Sequence, residues 1–162
     1  MNYNWKRNKL MSLLIKQGKK TQCSNIIDLT FDILNLKVSL FTKKEFDKIN
    51  NFYIEPKIYL KENSLENLLF EECIMQLNPI FKFKKIKIGS RTEIIPIYLN
   101  KEEQIILALK SLIARSKKRN NKSLAKNLAL EILEIFFSLK NKIKSRNEIL
   151  RLAYINRRMS KF

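Results

Sequence analysis

The sequence contains no histidine, two glycines, two cysteines and three prolines in 162 residues, and each scarcity closes off a class of function. Without histidine, the usual general base near neutral pH is missing, and no paired catalytic motif takes its place. Cys23 and Cys73 lie fifty positions apart. With no histidine to complete a ligand set, no zinc-binding spacing can be written, and both are expected to be buried thiols. No catalytic residue, metal or cofactor is assigned. The longest apolar stretch, residues 128–139, is interrupted by Glu131 and Glu134 and falls well short of the roughly 20 residues that a membrane-spanning helix needs, so no membrane partner is expected. Gly18, Lys19, Lys20 and Thr21 look like the end of a phosphate-binding loop, but the upstream glycine of such a loop is absent. The simpler reading is a helix end with Gly18 in the left-handed region, Thr21 capping the next helix, and the two lysines free to meet phosphate.

What is abundant is positive charge. Lys and Arg total 33 against 15 Asp and Glu, a formal net charge of +18, which requires a polyanion in the working state. With 45% hydrophobic residues, the chain has enough apolar content for one compact domain over residues 1–162. The charge is segregated: residues 1–27 carry six cations and no acid, residues 28–78 six cations and nine acids, residues 79–99 five and one, and residues 100–162 sixteen and five. The two ends and one central segment therefore look like the anion-facing surface. An unopposed basic N-terminus is also a feature of cleaved targeting peptides.

Hydrophobic period and breakers predict helices over residues 5–17 and 22–36, the second carrying Ile26, Ile27, Leu29, Thr30, Ile33 and Leu34. Residues 38–62 lose that pattern around Pro56 and read as an insertion. Its net-negative setting and its aromatics Phe41, Phe46, Phe52, Tyr53 and Tyr59 suit a protein neighbour or solvent better than RNA. Ser64 is expected to cap a helix reaching about Gln76, ended by Asn78-Pro79.

Residues 80–88 and 91–99 are strand-like runs separated by Gly89 and Ser90, a two-residue connection that makes a tight hairpin. If Ile88 pairs with Arg91, Phe83 faces Pro96 and Phe81 faces Tyr98, an apolar base that could seat the ribbon on a domain. Beyond it, adjacent Lys84 and Lys85 point to opposite faces, so the outer ribbon should project and offer Lys82, Lys84, Lys85, Lys87 and Arg91 to phosphates. Three more helices follow, over residues 101–117, 122–139 and 146–160. Arg115, Lys117, Lys118, Arg119 and Lys122 cluster at the first junction, where Asn120 and Asn121 permit a turn and Asn121 can cap the next helix. In the last helix Ile149, Leu152 and Ala153 are expected inward and Arg151, Arg157 and Arg158 outward. The fold class is therefore mainly α: a six-helix domain with a protruding two-stranded β-hairpin between the third and fourth helices.

The order of these pieces resembles the bacterial-type S-seven family of small-subunit ribosomal proteins. The resemblance runs through Gly18-Lys19-Lys20-Thr21, Asn78-Pro79, Ile88-Gly89, Ile95-Pro96-Ile97, Lys122-Ser123-Leu124-Ala125, Leu128-Ala129, Arg151-Leu152-Ala153 and Asn156-Arg157, covering residues 5–37 and 63–162. It implies a structural protein bound to the 3′ major domain of small-subunit rRNA in the subunit head. Such a protein helps organise head assembly beside neighbouring head proteins, and it borders the exit site near tRNA and mRNA. On that reading Lys6, Arg7, Lys19, Lys20, Lys82, Lys84, Lys85, Arg115, Lys117, Lys118, Arg119, Lys122, Arg146 and Arg151 meet rRNA. Lys87, Gly89, Ser90, Arg91, Arg157 and Arg158 lie toward the exit-site tRNA and mRNA.

Three departures stand out: no basic arm precedes the first helix, residues 38–62 look inserted, and Glu103-Gln104 stand where the family commonly has two arginines. Because residues 5–17 match a helix of the family domain, they are expected to be retained rather than removed as a presequence. Twenty-five lysines against eight arginines, many asparagines and two glycines fit AT-rich coding. That points to an organelle-encoded protein of a mitochondrial ribosome, with plastid or bacterial cytoplasm as alternatives. A general RNA- or DNA-binding architectural protein shares the charge but does not explain the ribbon followed by a basic junction. An RNA-processing enzyme would need an acid or histidine cluster that is not found.

Overall fold

A computed structural model describes residues 3–39, 65–88, 90–137 and 151–155. In chain order the elements are α1 (Tyr3–Leu14), α2 (Lys20–Ser39), α3 (Leu65–Leu77), β1 (Phe81–Ile88), β2 (Arg91–Tyr98), α4 (Lys101–Lys117) and α5 (Leu124–Phe137). Residues 151–155 are helical and fall inside the sixth expected helix, α6. The mainly α fold with a hairpin between the third and fourth helices is therefore present as expected. Most of the 38–62 insertion lies outside the described residues, but its first two positions continue α2, where Val38 is buried.

The core forms where α2, α3, α4 and α5 meet, with α1 laid against α2 and α4. Each helix contributes residues at the three- and four-residue spacing of one buried face. On α4 these are Ile105, Ala108, Leu109, Leu112 and Ile113; on α5, Leu128, Ala129, Ile132, Ile135 and Phe136. Phe31 of α2 meets Phe70 of α3 edge to face at 5.5 Å. Each fully buried Leu or Ile contributes about 1.5–3 kcal/mol relative to exposure, so this four-helix contact dominates the stability. On α2 the buried face is Cys23, Ile27, Thr30, Phe31, Leu34 and Val38, while Leu29 is 54% exposed. The helical period carries position 29 roughly opposite Ile27, so Leu29, though part of the apolar pattern of the helix, faces solvent. Leu152 on α6, expected inward, is exposed, and Ala153 is the buried residue there. Cys23 and Cys73 are free and buried, as expected.

Helix ends differ from expectation where backbone geometry decides them. Gln17 and Gly18 both adopt positive φ, 53° and 73°, so α1 stops at Leu14 rather than running to Gln17. The Cys23 amide already donates to the Lys19 carbonyl at 3.3 Å. Thr21 is therefore inside the first turn of α2 and does not cap it. At α5 the Asn127 amide donates to the Ser123 carbonyl at 3.1 Å, and the Ser123 hydroxyl accepts from the Lys126 amide at 3.5 Å. Ser123 rather than Asn121 is the cap, which moves the helix start from Lys122 to Leu124.

The ribbon has the expected register: Ile88 opposite Arg91, Phe83 opposite Pro96, and Phe81 opposite Tyr98. Its seating is different. Tyr98 is 68% exposed and meets Phe81 edge-on at 6.0 Å, whereas Ile95 is only 7% exposed. Strand alternation puts Ile95 on the face away from Pro96 and Tyr98. The ribbon is thus seated through Ile95 and through Leu99 just past β2, while Ile97 and Tyr98 are exposed. Adjacent Lys84 and Lys85, which point to opposite faces, are both exposed, although Lys84 stands opposite the buried Ile95.

Candidate nucleic-acid interface

Among the described residues the most ordered cluster of cations is the junction between α4 and α5. Arg115, Lys117, Lys118 and Lys122 are exposed. Beneath them the chain is tied down. The Asn127 side-chain amide donates to the carbonyls of Asn121 at 3.0 Å and Arg119 at 3.5 Å. The Arg119 guanidinium donates to Glu131 at 2.7 Å and also pairs with Glu134, while Arg115 comes within 4.0 Å of Glu131. Burial works against the Arg119 charge, but its hydrogen bonds and the charges of Glu131 and Glu134 outweigh it, holding the guanidinium above its ordinary pKa. Four solvent-facing cations thus sit on the last turn of α4 and on the loop after it, where a buried amide and an internal ion pair tie the chain down. Such an arrangement suits phosphate contacts.

The ribbon carries a second group, with Lys82, Lys84, Lys85, Lys87 and Ser90 exposed. Lys82 and Lys84 line a cleft of about 430 Å³ with Ile97, Glu103, Ile106 and Lys110, so the base of the ribbon and the outer face of α4 form one partly cationic wall. Gln104, read from sequence only as a lost phosphate contact, has a structural task. Its amide donates to the Leu99 carbonyl at 2.8 Å and its oxygen accepts from Asn78 at 3.1 Å, joining the two roots of the ribbon to α4.

The remaining candidates are not equivalent. Lys19 and Lys20 are exposed at the start of α2, and Arg151 is exposed on α6. Lys6 is only 9% exposed and donates to Glu71 of α3 at 2.8 Å. Arg7 pairs with Asp28 of α2 and stacks over Phe31 at 4.9 Å. These two cations, like Arg119, have internal partners that leave them little freedom to reach phosphate. Arg91 lies on β2, and Gly89, Arg146, Arg157 and Arg158 lie outside the described residues. Sequence reasoning missed Asn127, Glu131 and Glu134. A polar residue within the apolar pattern of α5 was the available signal, since a buried asparagine requires nearby backbone partners.

Residues 3–157 match the family described as Ribosomal protein S7p/S5e. The chain is 27% identical over 149 residues to the small ribosomal subunit protein uS7 of Lactobacillus delbrueckii subsp. bulgaricus, covering 92% of this chain and 80% of that one. It is 30% identical over 128 residues to the protein of the same name from Chloroherpeton thalassium, covering 78% and 77%. With Marinobacter nauticus uS7 it shares 32% over 102 residues, 63% of this chain and 64% of the relative. A match spanning α1 through α6, with the hairpin in its expected register, means that the chain belongs to the ribosomal protein S7p/S5e family.

Proposed function

We propose that the chain is a structural, non-enzymatic constituent of the small ribosomal subunit that binds the 3′ major domain of its rRNA in the head. The observation that carries this reading is family membership over residues 3–157. The exposed cations of the ribbon and of the α4–α5 junction supply the phosphate-facing surface such a role needs. Lys19, Lys20, Lys82, Lys84, Lys85, Arg115, Lys117, Lys118, Lys122, Arg146 and Arg151 are the rRNA-facing set. Lys87, Gly89, Ser90, Arg91, Arg157 and Arg158 face exit-site tRNA and mRNA, and the segment at 38–62 faces a neighbouring head protein. The lysine-rich, glycine-poor composition supports a mitochondrial ribosome.

The test is binding of the purified chain to a transcript of the 3′ major domain across a salt series, with unrelated duplex DNA as competitor. Each phosphate contact contributes about −0.7 to −0.9 to the slope of log affinity against log salt. The expected result is a steep slope and preference for the transcript. Salt-independent binding, or equal affinity for the DNA, would overturn the reading and favour a general architectural role.

A further inference from the structure

A carboxylate in the middle of a polyanion-binding surface should weaken binding, yet Glu131 lies directly under the cations of the α4–α5 junction. Glu131 is buried, so it is shielded from any RNA that reaches the loop. One of its oxygens accepts from Arg119 at 2.7 Å and the other faces Arg115 at 4.0 Å. Asn127, 3% exposed and one helical turn earlier, donates to the carbonyls of Asn121 and Arg119. Between them these two side chains hold the main chain of residues 119–121 at two carbonyls and at the Arg119 head group. Asn120 and Asn121 are both exposed and the turn contains no glycine. Backbone bonds from the Lys118 and Arg119 amides to Arg115 and Ser116 fix the start of the turn, and the two side chains fix the stretch beyond it. Conformational freedom that is lost on folding is not lost again on binding.

We propose that Glu131 and Asn127 are positioning residues for RNA binding, acting through Arg119 and the 119–121 backbone to hold Lys117, Lys118 and Lys122 ready for phosphate. Arg119 belongs to this support and not to the contact set. The inference rests on the RNA-binding role proposed above and adds which residues make the loop competent.

The sign of one substitution separates positioning from simple electrostatics. Glu131→Gln removes a negative charge next to the binding surface, so Coulomb attraction alone predicts equal or tighter binding of a polyanion. Weakening of the tie predicts weaker binding by roughly tenfold, the difference between a charge-assisted hydrogen bond and the neutral one that an amide oxygen can still accept. Asn127→Leu provides a second arm. The Asn127 Oδ1 is buried without a hydrogen-bond partner, so leucine removes an unsatisfied acceptor and keeps the number and branching of side-chain heavy atoms while deleting the donor to the loop.

The experiment measures affinity of the full-length chain and of Glu131→Gln, Asn127→Leu and Lys118→Ala for the 3′ major domain transcript across a salt series. Thermal unfolding of each variant is the folding control. Both positioning variants should bind roughly tenfold more weakly with the salt slope of the intact chain, since the same cations still meet phosphate. Lys118→Ala should instead reduce the slope by about 0.7 to 0.9. If Glu131→Gln lowers the unfolding temperature, Asn127→Leu decides the question. Glu131→Gln and Asn127→Leu binding as tightly as the intact chain, or more tightly, would overturn the positioning role. An intact chain that fails to bind the transcript would instead overturn the functional reading on which it rests.

Discussion

Gln104 ties the ribbon to α4 by both of its roots, donating to the Leu99 carbonyl and accepting from Asn78. Gln104→Leu would leave the buried Leu99 carbonyl without this partner, at a cost of about 1–3 kcal/mol, and would release the half-buried Asn78 amide. Denaturant unfolding should record the loss, and amide exchange at Leu99, which donates to Ile80 at 3.2 Å, should quicken. Unchanged stability and unchanged exchange would show that the ribbon is held by Ile95 and Leu99 alone. At this scale the sequence was legible for charge and much less so for partnership. The clustering of Arg115, Lys117, Lys118, Arg119 and Lys122 was plain, but nothing local distinguishes Arg119, which pairs with Glu131 and Glu134 twelve and fifteen positions away, from its exposed neighbours. Lys6 and Arg7 were misleading for the same reason, since Glu71 and Asp28 are brought to them only by the packing of α1 on its neighbours.

At the scale of elements, the hairpin register could be read because a two-residue connection fixes every cross-strand pair at once. Which face it buried could not, because both faces carry apolar residues and only the position of α4 chooses Ile95 and Leu99 over Phe81 and Tyr98. Helix ends at Leu14 and Leu124 depended on individual φ values and cap geometry that periodicity does not report. Deletion of residues 87–91 removes only the end of the ribbon and leaves Ile95, Leu99 and the Gln104 tie in place. The shortened chain should therefore unfold within about 0.5 kcal/mol of the intact one, as changes away from buried features do. Small subunits reconstituted with it should form in normal yield but retain less exit-site tRNA. Lost yield with normal tRNA occupancy would make the ribbon an assembly element and contradict its placement toward the exit site.

For the whole molecule, the net charge of +18 is distributed between two tasks. Lys6, Arg7 and Arg119 hold elements together through acids of other segments, and the cations of the ribbon and the α4–α5 junction stay exposed, as the proposed RNA-binding role requires. The cations that the segregation picked out at the junction and the ribbon are exposed, whereas part of the N-terminal charge is neutralised internally by Glu71 and Asp28. In the proposed role this surface meets ribosomal RNA within the small subunit. Sedimentation of the native protein from a cell or organelle lysate, with and without DNase, tests it most directly. The protein should travel with the small subunit, stay with it after DNase treatment, and be released as salt is raised. Sedimentation with DNA that DNase abolishes, or recovery free of the subunit at low salt, would contradict it.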